Sequence, residues 1–311
     1  MLRRLGLGHP SRVRTMAIAA VVIGTLLATQ GAIVRATESG LGCPDWPLCH
    51  GGIVPPAGDV HALIEYMHRV LATVGGLVIL AAAAGAWVLR RHRKYLGWIG
   101  LGIVPLLGVQ VGLGAIAVIM ELPPWVVTLH LAAASALIGL VTTIALLVKP
   151  QVAESCYPSR GLILGAGVTA AVTFMALVAG GYTSSSMAGQ VCPGWPMCAD
   201  GEILPSGSEA TRSIVHMVHR VLAVAAGYGI LHLAFNLWRR RRDHPFAHRL
   251  ALATLVLVLV NIAIGALNAL MHVPEPVTAV HSLLAQWVWV GALSTFLSLI
   301  AYDIGPSSAD S

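Results

Sequence analysis

Charge is scarce in this chain. Charged residues make up 10% and aromatic residues 6% of its 311 positions, against 57% hydrophobic residues, and the mean hydropathy is +0.79. A composition this far from that of a soluble domain excludes a water-soluble protein and identifies a polytopic membrane protein. No soluble domain interrupts the pattern, because the longest non-membrane stretches are about residues 35–61 and 183–212. Cysteine is sparse, at five residues. The net charge of +6 and the pI near 9.4 look basic enough for nucleic acid, but the excess gathers on one side of the membrane and implies no nucleic-acid partner.

What the chain does have is a repeat. Cys43-Pro44-Asp45-Trp46-Pro47-Leu48-Cys49 returns as Cys192-Pro193-Gly194-Trp195-Pro196-Met197-Cys198. Downstream, His68-Arg69-Val70-Leu71-Ala72 returns as His219-Arg220-Val221-Leu222-Ala223, with the register displaced by two residues lodged in the second loop. In that register Gln110 meets Asn261, Gly114 meets Gly265, Pro123 meets Pro274 and His130 meets His281. A repeat of this length predicts two similar halves, residues 1–150 and 151–311.

Apolar runs of about 20 residues, the length that crosses a bilayer as a helix, occur near 15–34, 62–89, 96–119, 125–148, 161–182, 213–237, 249–271 and 277–302. The predicted fold is an all-α integral membrane protein with eight transmembrane helices, arranged as two tandem four-helix bundles. An even number of spans per half gives both the same orientation, so a pseudo-twofold axis along the membrane normal should relate them. The first run is read as a retained helix and not a cleaved leader, since its counterpart at 161–182 lies mid-chain.

Orientation follows from Lys and Arg, which accumulate on cytoplasmic loops. Arg3, Arg4, Arg12, Arg14, Arg90, Arg91, Arg93, Lys94, Lys149, Arg160, Arg239 to Arg242 and Arg249 fall on one side. The opposite side holds Glu38, Asp45, Asp59, Glu121, Asp200, Glu202, Glu209 and Glu275, with only Arg35 and Arg212 in its loops. Both termini are therefore assigned to the cytoplasm and both cysteine loops to the outer face of a cell membrane. Two shorter outer connections, Glu121 to Pro124 and His272 to Pro276, end in proline, which suits the first turn of a helix. In an oxidising compartment each Cys-x5-Cys pair can close as a disulfide, and the Pro-x-Trp-Pro interiors favour the turn that brings the sulfurs together. The role of the pairs stays open between a loop staple and a redox or substrate-handling function. His50 hints at a metal ligand, but the spacing is not a zinc pattern and the second loop has Ala199 there. Cys156 is a lone thiol on the reducing side.

An ionisable side chain inside a bilayer is a functional candidate by default. Of the 13 histidines, His9, His92, His244 and His248 sit in basic cytoplasmic segments and read as solvated surface. His232, with Ala81 as counterpart, reads as a core or inner-interface histidine; His50, His61 and His272 belong to outer loops or helix ends. What remains is a matched set: His68 and His130 in the first half, His219 and His281 in the second. Paired imidazoles from facing helices suit axial ligation of haem iron, one on each face of the porphyrin. His68 and His130 both lie roughly 8 to 9 Å below the outer end of their runs at the helical rise.

One position breaks the symmetry. Glu65, three residues before His68, shares its helix face, whereas His216 precedes His219. Glu65 is either a helix-end partner of His61 or Arg69, or a carboxylate placed to act as base or to stabilise a developing cation. The second reading makes the first half catalytic and the second an electron carrier. Arg69 and Arg220, one residue after their histidines, either reach haem propionates or snorkel to the interface. Gly112 and Gly114 permit close helix approach. From the residues alone, a di-haem b-type electron-transfer protein and a quinone-linked thiol oxidase stay in play. The first gives Glu65 and the cysteines no role; the second leaves four matched imidazoles unexplained.

Gly40-Leu41-Gly42-Cys43-Pro44-Asp45-Trp46-Pro47-Leu48-Cys49, Glu65-Tyr66-Met67-His68-Arg69 and the four-histidine pattern together resemble the haem A synthase family, over essentially the whole chain. The resemblance implies an eight-helix enzyme of cytochrome oxidase maturation that oxidises the C8 methyl of haem O to a formyl group by successive hydroxylations. It places substrate haem at His68 and His130, with Glu65 as the essential carboxylate, and a haem b cofactor at His219 and His281. Cys43 and Cys49 match the family's outer-loop pair, while Cys192 and Cys198 fit a subgroup and read as a staple. Implied partners are a haem O synthase, cytochrome oxidase assembly factors, membrane lipid around the farnesyl tail, and a quinone or other electron acceptor.

Overall fold

A computed structural model describes residues 9–91, 93–148, 156–198, 202–203 and 207–301. Arg3, Arg4, His92, Lys149, Ala199 and Asp200, all used above, lie outside the described residues. Eight long helices follow one another among the described residues: α1 (Pro10–Ala36), α2 (Val60–Val88), α3 (Lys94–Ile119), α4 (Pro124–Leu147), α5 (Arg160–Ser185), α6 (Ala210–Arg239), α7 (Pro245–Leu270) and α8 (Glu275–Ile300). All eight are long and apolar enough to cross a membrane. The shortest, α4 with 24 residues, spans about 36 Å at 1.5 Å per residue, more than the ~30 Å hydrocarbon core.

Each helix corresponds to one apolar run, and most extend a few residues beyond it. Hydropathy reports the part that must match lipid, whereas a helix continues until its free N–H and C=O groups find caps. Asp59 ends α2 in this way, its carboxylate accepting from Ala62 N at 2.9 Å, and Pro10, Pro124 and Pro245 stand at helix starts, where no N–H is needed. The two short connections, α3 to α4 and α7 to α8, turn through paired left-handed residues, Glu121 and Leu122 in one and His272 and Val273 in the other, with φ between 58° and 62°. Non-glycine residues occupy this region at a cost of about 1–2 kcal/mol each, so the same turn recurs at equivalent places despite unlike side chains.

Helices α1 to α4 pack in a ring, α1 on α2 and α4, α3 on α2 and α4; α5 to α8 repeat the arrangement, and α1 meets α8, α4 meets α5 and α4 meets α8 between the rings. Burial grades the helices by place: the apolar windows of α4 and α8 are 50% and 56% buried, those of α3 and α7 only 11% and 22%. The first pair is central and the second faces lipid. Within the first ring Val13, Ile103, Leu137, Ile138, Val141 and Ile144 form the core. Leu162, Leu233, Leu237, Ala247 and Leu299 form that of the second. At the seam Gln286 Nε2 donates to Ser135 Oγ at 3.1 Å and Trp289 Nε1 to Ser135 O at 3.0 Å. Ser135 and Gln286 are equivalent positions of the repeat, so equivalent residues meet each other at the seam.

Candidate functional site

The four matched histidines sit on α2, α4, α6 and α8, and each is held through its Nδ1. His68 Nδ1 meets the Gln30 side-chain oxygen, and Gln30 is itself anchored by donating to Ile64 O at 2.9 Å. His130 Nδ1 meets Gln110 O at 3.1 Å, His219 Nδ1 meets Ala176 O at 3.0 Å and His281 Nδ1 meets Asn261 O at 3.2 Å. A carbonyl oxygen only accepts, so the network assigns the proton to Nδ1 and leaves Nε2 with its lone pair, the tautomer a metal-ligating histidine needs.

Each ring also lies against a glycine of the preceding helix. A Cβ added to Gly31, Gly114, Gly180 or Gly265 would stand 3.3, 3.1, 2.8 or 2.8 Å from Cε1 of His68, His130, His219 or His281 respectively. Any side chain there would push on the imidazole. The rings of His219 and His281 are 6.3 Å apart between centroids and nearly perpendicular, at 83°. One iron with metal–nitrogen bonds of about 2 Å on either side fits that spacing. The donor set, the tautomers and the glycine cradles thus fit haem ligation.

Above the first pair, Glu65, 4% exposed, joins the cysteine loop to α2. Its Oε2 accepts from Cys43 N at 2.8 Å and its Oε1 pairs with Arg69 at 2.5 Å. His61, the other partner considered for it, bonds Ser39 Oγ at 3.0 Å instead. Arg69 also donates to Cys43 O at 2.9 Å, Asp45 O at 2.9 Å and Leu48 O at 2.7 Å. Arg220 repeats this clamp on Cys192 O at 3.0 Å, Pro196 O at 3.1 Å and Met197 O at 2.9 Å. Both guanidiniums are therefore loop clamps, a use that neither propionate contact nor snorkelling foresaw.

Both loops close as disulfides, Cys43–Cys49 and Cys192–Cys198, and both carry a cis Trp–Pro bond, at Trp46–Pro47 and Trp195–Pro196. Gly42 lies against the start of α2, where an added Cβ would come within 2.4 Å of His61 backbone atoms. In the first loop Asp45 accepts from His50 N at 2.6 Å and Gly51 N at 2.8 Å. These bonds, Gly51 foremost, hold its carboxyl below the ordinary aspartate range. His50 is engaged within the loop, its Nε2 lying 2.8 Å from Gly42 O.

The remaining histidines correct part of the sequence reading. His244, expected on the solvated surface, is 2% exposed: it stands at the N-cap of α7, where the chain turns back beneath the ring. His248 is half-buried, with Nδ1 lacking a partner, while His9 is exposed as expected. His232 is on the outward face of α6, not in the core, and stacks on Tyr228 at 6.3 Å. His216, opposite Glu65 in the repeat, is buried with Nδ1 unpartnered. Cys156 is an exposed free thiol.

Sequence reasoning missed Gln30, Gly31 and Gly180. Gly31 and Gly180 share the register that relates the cysteines, and a repeat-matched glycine facing a repeat-matched histidine was the available signal. Gln30 has Ala179 as counterpart and gave none.

Residues 14–293 match the cytochrome oxidase assembly protein family. Among curated proteins the chain is 29% identical over 285 residues to heme A synthase from Exiguobacterium sp., with 91% of each chain covered. It is 28% identical to the heme A synthase of Symbiobacterium thermophilum, covering 93% of this chain and 94% of that one. For that of Geobacillus kaustophilus the identity is again 28%, over 92% and 88%.

Proposed function

The chain belongs to the cytochrome oxidase assembly protein family, and from that premise we propose how it works as a haem A synthase. It is a multi-pass membrane oxidoreductase that converts haem O to haem A. The half formed by residues 1–150 takes haem O between His68 and His130; the half formed by residues 151–311 holds haem b between His219 and His281. A pseudo-twofold axis through the Ser135–Gln286 contact relates them. One observation carries the assignment: four equivalent imidazoles share one tautomer and one glycine cradle, yet among the described residues a buried carboxylate stands beside only one pair.

His219 and His281 would hold haem b, which when bound would supply a one-electron couple. Glu65 acts as base toward the C8 methyl and stabilises positive charge developing on the macrocycle. Arg69 fixes the carboxylate's orientation and ties it to the disulfide loop, which covers the site from the outer face and limits water. A propionate contact from Arg69 or Arg220 uses the same guanidinium edge that clamps the loop, coupling haem seating to loop closure. The second disulfide is a staple. The protein lies in the cell membrane with both termini cytoplasmic, receives its substrate from a haem O synthase, works beside cytochrome oxidase assembly factors and passes electrons to a quinone or similar acceptor.

Expression with a haem O synthase, followed by chromatography of the extracted haems, tests this reading. Haem A should appear. Its absence beside an intact b-type spectrum would favour a di-haem electron carrier.

A further inference from the structure

The two halves treat their second histidine differently. Gln110 holds both ring nitrogens of His130: its backbone oxygen lies 3.1 Å from Nδ1 and its side-chain Nε2 lies 3.2 Å from the His130 Nε2. With the proton on Nδ1, His130 Nε2 accepts and the amide donates. The amide therefore caps the lone pair that iron would take. Asn261 occupies the equivalent place and makes the same backbone bond to His281 Nδ1, at 3.2 Å. It is one methylene shorter, and among the described residues no hydrogen bond joins its amide to His281 Nε2.

Both amides leave a buried carbonyl oxygen unpartnered, Gln110 Oε1 and Asn261 Oδ1. An unsatisfied buried acceptor is costly, and among the described residues the contact to His130 is the one hydrogen bond that holds the Gln110 amide. Such a group can leave the imidazole when iron arrives and return when iron departs.

We infer that Gln110 is a ligand-exchange residue, whose amide competes with the substrate's iron for His130 Nε2 and so keeps binding in the first half reversible. This rests on the assignment of substrate to that half. A substrate must enter and its product leave in every turnover, whereas a resident cofactor gains nothing from a competitor. The difference of one methylene between Gln110 and Asn261 follows that division.

Optical titration of the full-length protein with haem O, the second half already holding haem b, tests the inference. Gln110→Leu and Gln110→Asn should each bind haem O about fivefold more tightly, the effect of one net hydrogen bond, and release it correspondingly more slowly to excess apomyoglobin. A merely structural role predicts equal or weaker binding, and that result would overturn the inference. The reciprocal Asn261→Gln should lose haem b to apomyoglobin several-fold faster; unchanged retention would overturn the argument from side-chain length. His68→Ala and His130→Ala separate the two levels. If either leaves haem O loading intact, the substrate assignment falls and this inference with it. If both abolish loading while Gln110→Leu binds as the parent does, only the role of Gln110 falls.

Discussion

The two halves share their scaffold and differ in their polar atoms. Each has a disulfide loop with a cis Trp–Pro bond, an arginine clamping that loop, two Nδ1-anchored imidazoles and a glycine beneath each ring. Against this sameness Glu65 faces His216, Asp45 faces Gly194, Gln30 faces Ala179 and Gln110 faces Asn261. Every one of these substitutions changes a charge or a hydrogen-bonding side chain near a histidine or its covering loop. Duplication supplied the frame twice, and the two copies part at these polar side chains.

Removing the asymmetry at its centre should have the largest effect. Glu65→Gln keeps the shape but not the base, and haem A formation should fall by at least about 100-fold, the usual contribution of a general base. The b-type spectrum from the second half should persist. The matching change, His216→Gln, should cost far less; comparable losses of haem A would dissolve the distinction between the halves.

Next come the cradles. Gly180→Ala places a methyl 2.8 Å from His219, whereas Gly31→Ala places one 3.3 Å from His68. Overpacking costs about 1–3 kcal/mol, so haem b affinity in Gly180→Ala should drop by roughly tenfold or more, and haem O affinity in Gly31→Ala by less. Equal losses, measured by haem content after dilution, would count against the cradle geometry.

The clamps separate the halves more gently. Arg69→Ala strips the buried Glu65 of its counter-charge as well as freeing the loop, and should lower stability by about 2–3 kcal/mol, the cost of a broken, largely buried pair reduced for partial exposure. Arg220→Ala frees only loop carbonyls and should cost about 1–2 kcal/mol. Thermal unfolding in detergent would show the order, and a larger loss for Arg220→Ala would contradict it.

The smallest effect is one of pH. Asp45 has its folded pKa depressed by the Gly51 and His50 N–H groups. It therefore contributes stability above the unfolded aspartate pKa of about 4, and that contribution fades as pH falls through the folded value. The first loop should loosen in acid while the second, with Gly194 in that place, does not. Hydrogen exchange of the two loops between pH 6 and about pH 3 would reveal the difference, and Asp45→Asn should flatten it.

Much of this architecture is legible in the chain because the bilayer leaves few solutions. A 20-residue apolar run must be a helix, and an imidazole within it must have a reason to be there. His68, His130, His219 and His281 stood out on that ground, and the repeat paired them. Other features stayed hidden because their partners lie far along the chain: Arg69 reads as a residue beside a ligand until Cys43, Asp45 and Leu48 fold over it. Run composition misplaced His244, since a basic segment looks solvated although one of its side chains turns inward. For His232 the core alternative falls, because a histidine on an apolar helix looks internal until the neighbouring helices show which face they cover.

The solvent, the eight crossings, the duplication and the four imidazoles follow from local hydropathy and from spacing along one chain. Folding settles the rest: which nitrogen of each imidazole is held, that a glycine underlies each of the four rings, that the arginines clamp the loops and that Gln110 reaches His130 where Asn261 falls short. Those are contacts across helices, fixed by distances of a few ångströms that spacing along the chain does not encode.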